Sequence, residues 1–117
     1  MRRVPKPWGH ELIFAENDRY AGKLLVLEPG HSLSLQYHER KDETIYVLEG
    51  EVHLLVDVGG ELKELTLKAG EAHRIEPRVR HRKRATVRCT LVEVSSPELD
   101  DVVRLEDAYG RAGTTAP

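Results

Sequence analysis

The stretch SLQYHERKDETIYVLEG, Ser34–Gly50, decides how the rest of the chain is read. It opens with Gln36 and His38, two positions apart. It crosses a short polar connection, Glu39–Asp42, and enters TIYVL behind Glu43. Side chains two apart on a strand share a face. Gln36 and His38 are therefore expected on one face, with Leu33, Leu35 and Tyr37 on the other. Only four residues separate His38 from Glu43, so the two strands read as neighbours that return Glu43 to the same end of the sheet as His38. A second histidine, His81, follows Glu76-Pro77-Arg78-Val79-Arg80, a turn that feeds one inward-pointing residue. Two imidazoles, a carboxylate and an amide oxygen suit a divalent ion such as Mn, Fe, Co, Ni or Zn. Taken singly, each is an ordinary polar residue.

Working outward, turn signals recur at Pro29-Gly30, Gly50, Gly59-Gly60, Ala69-Gly70, Pro77 and Ser95-Ser96-Pro97, mostly about ten residues apart. The intervening runs read as strands. These are Lys23–Leu27, Thr44–Leu48, Glu51–Val58, Glu61–Lys68 and the β-branched Thr86–Val94. Gly59-Gly60 is a two-residue hairpin connection of the kind that needs positive φ. No window shows a 3.6-residue apolar period. The expected fold is all-β, a small barrel or sandwich. Residues 1–19, with Pro5, Pro7 and Trp8, read as an irregular N-terminal arm, and residues 97–117 as a C-terminal tail whose last residues are disordered.

Length and composition bound the remainder. At 117 residues the chain is one domain, residues 1–117. It is 39% hydrophobic and 32% charged, which is globular rather than disordered. A net charge of −2 and the lack of an aromatic platform argue against a nucleic-acid partner. No run approaches the ~20 apolar residues that span a bilayer, and the N-terminus has no secretory pattern, so no membrane association is expected. Cys89, the single cysteine, fits a reducing compartment, and a cytoplasmic protein is expected.

The spacing Gly30, five residues, Gln36, one residue, His38, four residues, Glu43, six residues, Gly50 resembles the first motif of the cupin superfamily, with glutamine in place of the first histidine. Gly70, Pro77 and His81 resemble the second motif, though Arg78 stands where a glycine is usual. PWG at Pro7–Gly9, SLQ-x-H at Ser34–His38, HR at His81-Arg82 and DVVRLEDAYGR at Asp101–Arg111 are similar to the cupin domain of type II mannose-6-phosphate isomerases, often fused to a GDP-mannose pyrophosphorylase.

The resemblance implies a jelly roll (a double-stranded β-helix) and one divalent metal held by Gln36, His38, Glu43 and His81. It implies aldose–ketose interconversion of a phosphorylated sugar. Such a reaction needs a proton carrier, for which Glu43 and Lys23 are candidates, and donors for the substrate, for which Arg82, Arg104, Tyr109 and Arg111 are candidates. The seven basic residues from Arg74 to Arg88 read either as phosphate donors or as a solvated, charge-alternating strand. Two other readings stay open: a non-haem iron oxygenase using His38, His81 and Glu43, and a non-catalytic sugar or nucleotide-sugar binding module. A homodimer is expected, since small sandwiches hide a sheet edge by pairing.

Overall fold

Alternation of buried and exposed positions, read strand by strand, builds the molecule. The computed structural model describes residues 1–107, 109 and 110. Among them are eleven strands and no helix: β1 Arg2–Lys6, β2 Gly9–Glu16, β3 Ala21–Leu27, β4 Leu35–Tyr37, β5 Glu43–Glu49, β6 Glu51–Val58, β7 Glu61–Lys68, β8 Ala72–Ile75, β9 His81–Arg84, β10 Cys89–Ser95 and β11 Val103–Glu106. They form a six-stranded sheet, β1-β2-β3-β10-β5-β8, and a five-stranded sheet, β11-β4-β9-β6-β7. Every pairing between these strands is antiparallel. The all-β jelly roll expected from the sequence is the fold of the protein.

The core lies between the two sheets. Val52, Leu54 and Val56 on β6 face Leu25 and Leu27 on β3, Ile45 and Val47 on β5, and Leu91 on β10 across it. Fully burying such side chains contributes about 1.5–3 kcal/mol each, and their placement at every second position is what fixes the register. The β6–β7 hairpin turns at Gly59-Gly60, both at positive φ (64° and 91°), with the Gly60 amide donating to Asp57 Oδ1 at 2.8 Å.

Four expectations change. The N-terminal arm is not irregular: β1 and β2 form a hairpin that extends the six-stranded sheet. Pro5 is compatible because β1 is an edge strand, with no ladder to complete on its outer side. Trp8 at the hairpin turn is 2% exposed and belongs to the core. Gly9 can be nothing else: a Cβ there would overlap the Val26 carbonyl oxygen. The C-terminal tail likewise supplies β11, which pairs with β4. The expected disorder at the chain end falls on residues outside those described.

β4 and β5 are not neighbours, since they lie in different sheets. The connection Glu39–Asp42 crosses the barrel mouth, so Glu43 still returns to the end where His38 stands. The run Thr86–Val94 begins as a bend at Thr86-Val87, where the chain changes sheet, and the strand starts only at Cys89.

Candidate metal centre

β5 buries every second residue, and Glu43, at the same parity as Ile45 and Val47, is carried inward with them. His81 opens β9 directly opposite Gln36 on β4. His38 follows β4 by one residue. These three chain segments bring His38, Glu43 and His81 into one buried cluster whose ligand atoms lie within 4.8 Å of one another. His38 Nε2 is 3.3 Å and His81 Nε2 3.2 Å from the same Glu43 oxygen, Oε1. The imidazole centroids are 5.1 Å apart.

The other ring nitrogens fix the tautomers. His38 Nδ1 donates to the Asp101 carbonyl at 2.6 Å, and His81 Nδ1 donates to the Val79 carbonyl at 2.9 Å. A carbonyl can only accept, so both Nδ1 atoms carry their protons, and the Nε2 of a neutral His81 ring presents a lone pair. Burial lowers the His81 pKa, with the nearby Lys83 and His38 adding to it against the bonding to Glu43, so the ring is neutral at pH 7. Burial alone would raise the Glu43 pKa, but the Lys83 and Lys41 ammonium groups outweigh it and hold the carboxyl well below its usual range. Between His81 and Glu43, acceptor faces acceptor, while His38 Nε2 makes a hydrogen bond with Glu43 Oε1 at 3.3 Å. His81 Nε2 and Glu43 Oε2 are buried with no hydrogen-bond partner. An unpaired buried polar atom costs about 1–3 kcal/mol, and a cation among these lone pairs removes that cost. The donor set of two imidazole nitrogens and a carboxylate fits a borderline divalent ion.

Gln36 lines the same cavity as His38, with its Oε1 accepting from Ser34 Oγ at 2.7 Å. Leu33, expected to face away, lines it too, because regular alternation begins only at Leu35. Lys23 also lines the cavity and pairs with Glu11 at 2.9 Å and Glu93 at 3.6 Å. Arg104, 5% exposed and opposite Gln36 in the β11–β4 register, reaches the cavity.

Two of the remaining expected substrate donors, Arg82 and Tyr109, make other contacts. Arg82 alternates to the other face of β9, where it donates to the Leu33 and Glu106 carbonyls. Tyr109 stacks on His31 and bonds its Nδ1 at 2.7 Å. Arg111 is outside the described residues. Of the seven basic residues from Arg74 to Arg88, only Lys83 points inward. Arg74, Arg78, Arg80, Arg84 and Arg88 pair with Asp42, Glu39, Asp57, Glu64 and Glu28 on the surface.

The sequence reading missed four interior charges: Glu11, Lys41, Lys83 and Glu93, all at most 6% exposed. Lys41 Nζ is 2.9 Å from Glu93 Oε2 and 3.9 Å from Glu43 Oε2. Burial works against the Lys41 ammonium, yet Glu93 and Glu43 together outweigh it and its pKa is raised. Lys83 Nζ lies 3.7 Å from Glu43 and 3.8 Å from Glu93. Parity carried the missing signal: Glu93 shares the face of Cys89 and Leu91, and Lys83 that of His81.

Residues 23–95 match the family model described as "Cupin domain". The chain is 32% identical over 117 residues to mannose-1-phosphate guanylyltransferase of Escherichia coli K12 and 34% identical over 115 residues to the xanthan biosynthesis protein XanB of Xanthomonas campestris pv. campestris (strain B100). Each match covers 94% of this chain but only 23% and 24% of the relative, so the chain spans about a quarter of those proteins. The structure of KdgF from Halomonas sp. superimposes with a TM-score of 0.73 at 20% identity, covering 86% of this chain and 89% of that one, which shows a shared fold. The chain belongs to the cupin family.

Proposed function

We propose that this domain binds one divalent metal through His38, Glu43 and His81, with Gln36 as a fourth ligand, and isomerises a phosphorylated sugar between aldose and ketose. The observation that supports the metal reading is the buried His38–Glu43–His81 cluster, in which both imidazole Nε2 atoms lie 3.3 and 3.2 Å from Glu43 Oε1 while His81 Nε2 and Glu43 Oε2 have no hydrogen-bond partner. Similarity to a mannose-1-phosphate guanylyltransferase supports a sugar phosphate as substrate. A cation held there supplies Lewis acidity toward a substrate oxygen. Glu43 is committed between two imidazoles and two lysines, which leaves Lys23, on the cavity wall and tied to Glu11, as the proton carrier. Arg104 is the donor proposed for the substrate at the mouth.

The test is incubation with mannose and fructose phosphates in deuterated water, with Mn, Fe, Co, Ni and Zn each added. Deuterium entering C1 or C2 is the expected result. No exchange across a panel of hexose and pentose phosphates overturns the isomerase reading. Binding that raises the melting temperature without exchange would leave a non-catalytic sugar-binding module.

One observation favours a second reading. Gln36 Oε1 is engaged by Ser34, so the cluster reduces to two histidines and one carboxylate, the ligand set of non-haem iron oxygenases. Oxygen uptake with Fe(II) that depends on an organic substrate would establish it.

We also propose a cytoplasmic homodimer. No helix among the described residues is long and apolar enough to cross a membrane. The outer face of the six-stranded sheet exposes Phe14, Tyr46, Leu48 and Val94, each at least 41% accessible. Light scattering that returns a monomer mass at micromolar concentration would rule out the dimer.

A further inference from the structure

Three glutamates and three lysines stand inside the barrel: Glu11, Glu43 and Glu93 against Lys23, Lys41 and Lys83, none more than 9% exposed. Each lysine has a carboxylate oxygen at 2.9–3.7 Å. Their formal charges cancel. A divalent cation taken up by Glu43 would upset that balance by two charges. It would do so beside Lys41 and Lys83, whose Nζ atoms lie 3.9 and 3.7 Å from that carboxylate. Like charges this close repel strongly away from water. Among the described residues the adjoining cavity is lined by two acids, Glu11 and Glu93, each already paired with a lysine. An anion from solution would restore the balance.

We infer that the cavity adjoining the metal cluster, lined by His38 but not by Glu43 or His81, takes up a compact dianionic oxyanion, a phosphoryl group or a pair of carboxylates, when the metal is bound, and that each ligand tightens the hold on the other. The inference rests on the metal centre proposed above but not on isomerase chemistry. The anion sits against the Lys23, Lys41 and Lys83 ammonium groups. Each is a flexible point donor with three N–H bonds, suited to an oxyanion. The free space of about 50 Å³ holds a few non-hydrogen atoms, on a measure where one water needs about 10–15 Å³. An acidic group therefore enters at the floor beside the metal, and the rest of a larger ligand lies toward the mouth, where Lys6, Leu99 and Arg104 stand.

The test is the Mn(II) affinity of the 117-residue chain, read by the EPR signal of free Mn(II), with and without inorganic phosphate and corrected for Mn(II)–phosphate pairing in solution. Phosphate is expected to tighten Mn(II) binding about tenfold or more. By reciprocity, Mn(II) tightens phosphate binding by the same factor. A parallel series with malonate separates a phosphoryl site from a dicarboxylate site. Coupling with either anion supports the inference, and equal Mn(II) affinity with both, with neither and with no anion overturns it. Lys83→Met should bind Mn(II) more tightly than the parent without anion and show a smaller phosphate effect. Weaker Mn(II) binding by folded K83M would count against the charge argument. The wild-type comparison stands even if that variant does not fold. Coupling without proton exchange would sink the isomerase reading and leave this inference intact. No Mn(II) binding under any condition would remove the metal centre and the inference with it.

Discussion

The backbone carbonyl of Asp101 accepts the Nδ1 proton of His38 at 2.6 Å, while the carboxylate of the same residue accepts the amide N–H groups of Glu39, Arg40 and Lys41 at 3.1, 2.7 and 3.0 Å. One residue of the C-terminal segment thus orients a proposed metal ligand and pins the connection that leads from His38 to Glu43. Partners of this kind set ligand orientation, and their loss lowers metal affinity about 10–100-fold. Asp101→Ala keeps the carbonyl that His38 uses and removes only the carboxylate that pins residues 39–41, so it is expected to weaken Co(II) binding by no more than about tenfold, through loosening of that connection, and to alter the visible d–d spectrum of the Co(II) form. Asp101→Asn, which keeps one acceptor oxygen, should recover part of both. An unchanged spectrum with lowered thermal stability would mean that Asp101 serves the loop alone.

Glu93 is the hub of the interior charges, with Lys41, Lys23 and Lys83 within 2.9, 3.6 and 3.8 Å of its carboxylate. Removing one partner of a buried pair leaves charge uncompensated, at about 3–5 kcal/mol. Glu93→Gln should destabilise the apo protein by about this amount in urea unfolding. A loss under about 1 kcal/mol would show that water reaches the lysines and screens them.

Stability should fall on both sides of neutrality for separate reasons. Burial alone would raise the Glu11 pKa, but Lys23 outweighs it and the folded value is lowered. A lowered carboxyl contributes stability that is full above its unfolded pKa and is lost as pH falls through the folded one. The acid limb therefore begins below about pH 4.5, the ordinary value of the group. Burial pushes the Cys89 thiol from 9.0 up to about 11. The folded state keeps the proton longer than the unfolded chain, so stability is lost as pH rises from 9 toward 11. Melting temperatures across pH should show both limbs, with Glu11→Gln flattening the first and Cys89→Ala the second. An alkaline limb unchanged in C89A would place its origin in another group.

Arg78 is the one non-glycine residue at positive φ among those described, at 67°. Its amide donates to the His38 carbonyl at 2.6 Å, so the turn before His81 requires this backbone shape. A non-glycine residue in the left-handed region costs about 1–2 kcal/mol, partly offset by the greater unfolded-state freedom of glycine. Arg78→Gly should therefore stabilise the protein by about 0.5–1 kcal/mol, seen as a higher urea midpoint with an unchanged slope. Destabilisation would mean that the exposed Arg78–Glu39 contact outweighs the backbone strain.

The sequence by itself determined the elements and their parity. Period-two alternation in Glu51–Val58 and the Gly59-Gly60 turn were legible because strand geometry is local. Gln36, His38 and Glu43 were legible because their spacing holds to a motif. What stayed hidden depends on which segments meet. Residues 2–16 gave little periodicity, yet pairing with β3 makes them strands. Glu39–Asp42 read as a connection between neighbouring strands but changes sheet. Glu11, Lys41, Lys83 and Glu93 looked like surface charge, because a charged residue is ordinarily solvated. Only the closure of two sheets shows that strands far apart in sequence carry them to one interior, where each ion is tolerated because a neighbour from another strand balances it.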